Sequence, residues 1–200
     1  MVKFIAVALL AGTAAAPAFA QDAAPVPVAA GTGPRIEILG GYDAPDNGFK
    51  NGFTYGVGAG FDFQLGSATA GVEAEYLDTN VERKFRGVVV PGDRLTAGLG
   101  RDLYVGGRVG VASFGGSAVY VKGGYTNQRV RAELQDTNVA GADNETGDNL
   151  DGGRVGAGIE FGIPTLGLGS AAFLKTEYRY SNYEQGFEKH TGVVGVGFRF

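Results

Sequence analysis

His190–Phe200, HTGVVGVGFRF, alternates with a period of two. Val194, Val196, Phe198 and Phe200 fall on one side of an extended chain, and Val193, Gly195, Gly197 and Arg199 fall on the other. Successive side chains of a β-strand point to opposite faces, so this period marks a strand with two unlike surfaces. The pattern repeats back through the chain. Leu174, Thr176, Tyr178 and Tyr180 oppose Lys175, Glu177 and Arg179 within 171–180, with Ala172 on the apolar side. Val155, Ala157, Ile159 and Phe161 oppose Arg154, Gly156, Gly158 and Glu160 within 151–161. Val119, Val121 and Tyr125 oppose Tyr120, Lys122 and Gly124 within 118–130.

Four further segments complete the set. In 99–112, Leu103, Val105, Val109 and Val111 oppose Tyr104, Gly106, Arg108 and Gly110. In 68–78, Val72, Ala74 and Tyr76 oppose Gly71, Glu73 and Glu75. In 53–63, six apolar positions from Phe53 to Phe63 oppose Thr54, Gly56, Gly58, Gly60 and Asp62. In 35–43, Ile36, Ile38 and Tyr42 oppose Arg35, Glu37 and Leu39. These are eight strands. The links at 64–67, 113–117 and 162–170 are short, whereas those at 44–52, 79–98, 131–150 and 181–189 are long and polar. Short turns at one end and long loops at the other are the pattern of an up-and-down β-barrel in an outer membrane, the short turns being periplasmic.

The start of the chain agrees with export. Lys3 precedes an apolar run from Phe4 to Ala16, and Ala18-Phe19-Ala20 supplies a small-x-small cleavage site before Gln21. Residues 1–20 therefore read as a cleaved secretory signal, since the run is short for a membrane helix. Residues 21–34 (QDAAPVPVAAGTGP) read as an Ala/Pro-rich periplasmic lead-in, leaving 35–200 for the barrel. Losing Lys3 with the signal leaves 16 Lys+Arg against 21 Asp+Glu, an acidic balance that argues against a nucleic-acid partner. Cysteine is absent, so no disulfide framework supports the fold. Thirty-six glycines in 200 residues, more than twice the usual ~7%, sit among Val, Tyr and Phe without a triplet period, which points to a sheet rather than disorder or collagen.

Which face points inward is a question of volume. Eight strands enclose a lumen just wide enough to be filled by side chains. The aromatics of one face crowd that space, whereas the Gly/charge face fits it. The inward set then comprises the acids Glu37, Asp62, Glu73, Glu75, Glu160 and Glu177 and the bases Arg35, Arg108, Lys122, Arg154, Lys175, Arg179 and Arg199. Near-neutrality suits a closed, ion-paired interior, because an unpaired buried charge is costly. Tyr42, Phe53, Phe63, Tyr76, Tyr125, Phe161, Tyr178, Tyr180, Phe198 and Phe200 lie near strand ends on the outward face, where aromatic girdles sit.

YGVGAGFDF (55–63), GGRVG (106–110), YVKGGY (120–125), KTEYRY (175–180) and GVGFRF (195–200) resemble the small outer-membrane barrels of the OmpA-type and opacity-type, porin-like families over residues 35–200. The resemblance implies localisation in the outer membrane, with lipid and lipopolysaccharide as surroundings. It also implies recognition by the barrel-assembly machinery through Val194, Val196, Phe198 and Phe200; Gly192 departs from that pattern at the fifth position. Unlike in full-length OmpA-type proteins, no peptidoglycan-binding domain is expected after the barrel. An outer-membrane lipid A deacylase would need His and Ser two apart on one strand, and here Gly192 follows His190, the single histidine.

The remaining candidates are loop clusters. Asp143, Glu145, Asp148 and Asp151 lack the EF-hand order and read as a solvated acidic loop. Arg83, Lys84 and Arg86 form a basic run at lipopolysaccharide level. Gly98-x-Gly100 has no phosphate-loop context. No catalytic, cofactor-binding or metal motif is visible, and no cofactor is expected. The chain reads as a non-enzymatic structural or surface-display barrel serving adhesion, host contact or envelope integrity through its loops. A narrow passive channel is the alternative, and a lipid-modifying enzyme the weaker one.

Overall fold

The computed structural model describes residues 32–46, 49–86, 94–113, 117–135, 144–163 and 172–200. Its strands in chain order are β1 (Gly33–Pro45), β2 (Gly52–Leu65), β3 (Ala68–Thr79), β4 (Glu82–Arg86), β5 (Arg94–Ala112), β6 (Ser117–Gln135), β7 (Asn144–Ile163), β8 (Ala172–Tyr183) and β9 (Glu188–Arg199). β3 and β4 lie end to end against β5 and count as one stave, so the wall has eight. Every pairing is antiparallel and, this break aside, joins chain neighbours, except for the last. There β1 meets β9 from Arg35↔Arg199 to Pro45↔Lys189. That ladder closes the sheet into an eight-stranded up-and-down barrel. Closure matters because hydrocarbon offers no water to an unpaired edge.

Local chemistry sets the turns. β2 and β3 are joined by Gly66-Ser67 alone, with Gly66 at φ 67°, the positive φ that the first residue of a tight hairpin turn requires. β8 and β9 are joined through a 3₁₀ turn, Glu184–Gly186, with Gln185 at φ 62° and Gly186 at φ 71°. The expected long loop at 181–189 is thus a four-residue connection. β1 begins at Gly33, two residues before the expected start. The signal at 1–20 and most of the lead-in lie outside the described residues.

Two of the expected loops are largely wall. Residues 94–99 pair with 130–135, and 144–150 pair with 128–134, so the segments assigned to loops 79–98 and 131–150 continue the ladder as hairpins. Polar residues there hid the strands, because β-pairing above a membrane needs no apolar face. β6 has 19 residues and β7 has 20. A membrane-crossing strand needs about 9–11, so these hairpins stand clear of the bilayer. Between Leu99 and Asp102 the β5–β6 register shifts. The bulge inserts residues that switch which parity faces inward, and both Leu99 and Asp102 are buried.

The two faces separate by chemistry. Most large apolar side chains of the wall face outward, Ile38 at 72% exposed, while Lys175 is 0% exposed. Phe63, Phe161, Phe198 and Phe200 mark the end with the short turn, and Tyr42, Tyr125 and Tyr178 with Phe53, packed edge-on against Tyr42, mark the other. Val121 lies on the outward face of β6, midway between Ser117, the register partner of Phe161, and Tyr125. Val121→Arg is expected to lower folding stability in a bilayer by roughly 2–4 kcal/mol, the depth-dependent cost of a cation on the lipid face. Urea titration in vesicles checks this, and Val121→Leu should be near neutral.

Candidate functional site: a filled lumen under an apolar cap

Small inward residues make room for large ones. A Cβ on Gly106 would lie 2.1 Å from Tyr104 Oη, and one on Gly158 would lie 2.6 Å from Tyr120 Oη. These glycines are what allow two tyrosine rings to lie across so narrow a barrel. Around them the buried charges fall into three layers.

The layer nearest the chain's C-terminus joins Arg35, Asp62, Arg108, Glu160 and Arg199. Arg108 grips Asp62 with two nitrogens at 3.0 and 3.1 Å and reaches Glu160 at 2.5 Å. Arg199 Nη2 donates to Asp62 at 2.9 Å and to Glu160 at 3.1 Å, and Arg35 Nε stands 3.3 Å from Asp62. Arg35 and Arg199 are direct cross-strand neighbours, an arrangement that repels. Asp62, 0% exposed and within ion-pairing distance of both, offsets that repulsion.

The middle layer holds Glu37, Glu73, Glu75, Glu177, Lys122, Lys175 and Arg179. Lys122 Nζ lies 2.6, 2.7 and 3.2 Å from Glu73, Glu75 and Glu177, and 4.4 Å above the Tyr104 ring. Lys175 donates to Glu37 at 2.9 Å and Arg179 to Glu75 at 2.8 Å. Arg35 pairs with Glu73, and Arg179 with Glu177. Tyr120 Oη donates to Glu177 at 2.5 Å. The carboxylates of Glu37, Glu73 and Glu75 approach within 4.8 Å of one another, a spacing that suits a metal ion. Here Lys122, Lys175 and Arg35 already surround them, and their charge opposes a divalent cation at that point.

The third layer centres on Asp102. It accepts from Arg154 Nη2 at 2.5 Å, Lys189 Nζ at 2.6 Å, Thr126 Oγ1 at 2.8 Å and Tyr183 Oη at 3.2 Å. Lys189 also donates to Gln128 at 2.7 Å, and Thr191 to Asp43 at 2.7 Å. Above it Val81, Leu99, Leu150, Tyr183 and Phe187 form a buried apolar cluster, joined by Phe49 and Val130. Phe187 meets Phe49 edge-on at 5.7 Å and Tyr183 at 5.5 Å. The interior is therefore ionic below and apolar at the mouth.

All thirteen lumen residues named from sequence lie in the interior and within ion-pairing distance of at least one other member. Asp43, Asp102 and Lys189 were missed. Lys189 sat where a loop was expected, whereas Asp43 closed the expected strand 35–43 and Asp102 kept the inward parity of Tyr104, just beyond the residues singled out. Extending the alternation two residues down from Thr191 and Tyr104 would have found Lys189 and Asp102. Among the described residues eight carboxylates and eight cationic side chains are buried, a net charge of zero.

The other candidates disperse. His190 Nδ1 and Tyr178 Oη are 2.6 Å apart, and the imidazole packs between Tyr178 and Tyr180. It is thus a half-buried member of the outward aromatic belt rather than a solvated rim residue. Position 192 is Gly, so the serine that the deacylase pattern places there is absent. Asp148 and Asp151 lie on opposite faces of β7. Asp148 accepts from the Asn149 amide, and Asp151 from Tyr125 Oη and Asn127 Nδ2. The acidic run is thereby split by strand alternation; Asp143 lies outside the described residues. Arg83, Lys84 and Arg86 fall on β4.

A closed antiparallel barrel with an apolar exterior, aromatic ends and a charge-balanced interior defines a transmembrane β-barrel of an outer membrane. The sequence matches the family described as outer membrane protein beta-barrel domain over residues 6–200, and the chain belongs to that family. Its fold is similar to Ail, the attachment invasion locus protein of Yersinia pestis, at 17% identity and TM-score 0.54, covering 84% of this chain and 99% of that one. Ail was solved with the heparin analogue sucrose octasulfate. Neisserial surface protein A (13% identity, TM-score 0.49, 84% and 96% covered) and the N-terminal barrel of Pseudomonas aeruginosa OprF (17%, 0.47, 83% and 97%) are also similar. No curated protein matches in sequence.

Removing one member of the lumen set strands its partners. Arg108→Leu and Asp102→Leu are each expected to cost on the order of 3–5 kcal/mol, read from denaturant unfolding in detergent, while outward Val196→Thr should cost far less. Equal and small effects for all three would mean that water solvates the lumen.

Proposed function

We propose that this protein is a non-enzymatic, closed surface barrel whose role lies in the hairpins it holds above the outer membrane. The observation that carries this reading is the filled interior: buried charges balanced in number, with the Val81–Leu99–Leu150–Tyr183–Phe187 cluster over them. Ion transfer through such a lumen would have to break several pairs at once, each costly to separate in a dry interior. The hairpins β4–β5 and β6–β7 extend past the length a bilayer requires, and exposed segments on a rigid scaffold are where binding functions concentrate. Adhesion, host contact and envelope integrity are the roles this placement supports.

Biogenesis follows the same proposal. Residues 1–20 direct export and are cleaved after Ala20, and the outward Val194, Val196, Phe198 and Phe200 are read by the assembly machinery as the terminal strand. Lipopolysaccharide forms the outer surroundings.

Planar-bilayer recording on the refolded protein is expected to show no stepwise conductance. Reproducible single-channel steps would instead favour the narrow-channel reading. Replacing 136–143, the segment between β6 and β7, by a short Gly/Ser link should leave heat-modifiable gel migration intact. If that tip is the displayed surface, recognition of whole cells by antibodies raised against it should disappear.

A further inference from the structure

The outward face of β6, followed from its first residues upward, changes chemistry in order: Val119, Val121, Gly123, Tyr125, Asn127, Arg129, Arg131. Hydrocarbon-facing valines give way to a girdle tyrosine, then an amide, then two guanidinium groups. At ~3.3 Å per residue and a tilt of about 40°, Arg129 stands roughly 10 Å above Tyr125 along the membrane normal. That is the level of lipid headgroup phosphates rather than of bulk solvent.

β5 and β7 complete the patch. Arg101, beside the bulge, reaches across β6 to Asn149 Oδ1 at 3.4 Å, which places it next to Arg129, the register partner of Asn149. Two glycines let the guanidinium groups lie along the wall: a Cβ on Gly100 would come within 3.3 Å of Arg131 Nε, and one on Gly147 within 3.3 Å of Arg129 Nε. Of the acids that share this parity, Asp151 below is already held by Tyr125 and Asn127, and the partners Glu133 and Glu145 stand one register step above Arg131, further from the membrane. Among the described residues neither Arg129 nor Arg131 makes an ion pair, in contrast to every buried arginine. Two staves further round, β8 and β9 present Asn182 and Glu188 instead, joined to each other at 3.3 Å.

We propose that Arg101, Arg129 and Arg131 form a binding site for the phosphate groups of a phosphorylated glycolipid of the outer leaflet. Its acyl chains would lie along Val105, Val121 and Val155 below. Guanidinium groups suit phosphate because they can donate two parallel charge-assisted hydrogen bonds. This goes beyond the display role and is independent of it, needing only that the barrel span the membrane.

The test uses the folded protein in detergent, with bound lipid counted by native mass spectrometry. Bis-phosphorylated lipid A should be retained about ten-fold over its dephosphorylated analogue. R101Q/R129Q/R131Q should bring that ratio near one while keeping heat-modifiable migration. Lys50→Gln, at an exposed lysine on the β1–β2 link, should leave the ratio unchanged. Equal retention of the two lipids by the wild type, or a preference that survives the triple substitution, overturns the site. Should the triple variant fail to fold, Arg129→Gln and Arg131→Gln singly should each lower the ratio about three-fold, and unchanged ratios overturn it. Sucrose octasulfate supplies the soluble-anion arm. Weak competition fits a lipid phosphate, whereas full displacement at equal concentration assigns the patch to a soluble polyanion and overturns the lipid assignment.

Discussion

The β1–β9 ladder is the contact on which the rest of this structure depends. Inside hydrocarbon an amide that finds no partner cannot turn to water, so a sheet in a membrane must end on itself. Here the first strand meets the last along its whole length, from Arg35↔Arg199 to Pro45↔Lys189. With eight staves the closure leaves a lumen about as wide as the side chains that must fill it. Everything inside follows from that width. Glycines occupy positions beside Tyr104 and Tyr120 because there is no space for a methyl group at either. Long cations fill the interior because their stems span it and their charged ends find carboxylates on the far wall.

Filling a lumen with charge carries its own penalty, since each ion loses its water. The layers offset this by sharing. Asp62 serves Arg35, Arg108 and Arg199, and Asp102 serves Arg154 and Lys189 along with two hydroxyl groups. A shared carboxylate also lets cations stand as direct cross-strand neighbours, as Arg35 and Arg199 do around Asp62. Such sharing makes the network cooperative: its members cannot be exchanged singly without stranding several others.

Toward the hairpin end the requirement changes. Beyond the membrane, water can reach the wall, and the interior turns from ionic to apolar at the cluster around Phe187. The bulge between Leu99 and Asp102 lies at this transition. Its parity switch allows one strand to offer a carboxylate to the lower layer and a leucine to the cap. On the outer surface the same strands pass from valine to tyrosine to arginine, so the bilayer's polarity profile is written along β6.

His190–Phe200 and its seven counterparts were legible as strands because each membrane-facing surface is apolar and the pleat repeats every two residues. The inward direction of the charged face was legible as well, from the volume that eight strands enclose and from the near-balance of acids and bases. Three things were not. The upper halves of β5, β6 and β7 carry polar residues on both faces, so no periodicity separates them from loops. Leu99 changed face through a backbone irregularity that no side-chain pattern records. The pairing of individual charges was the third: Lys175 and Glu37, 2.9 Å apart, are separated by 138 residues, and any cation of the inward set could have faced any acid of it. Alternation is a local property of the pleat, and the sequence by itself determined it. Which charges meet depends on barrel closure, strand register and the one bulge, and those exist only once the tertiary ladder has formed.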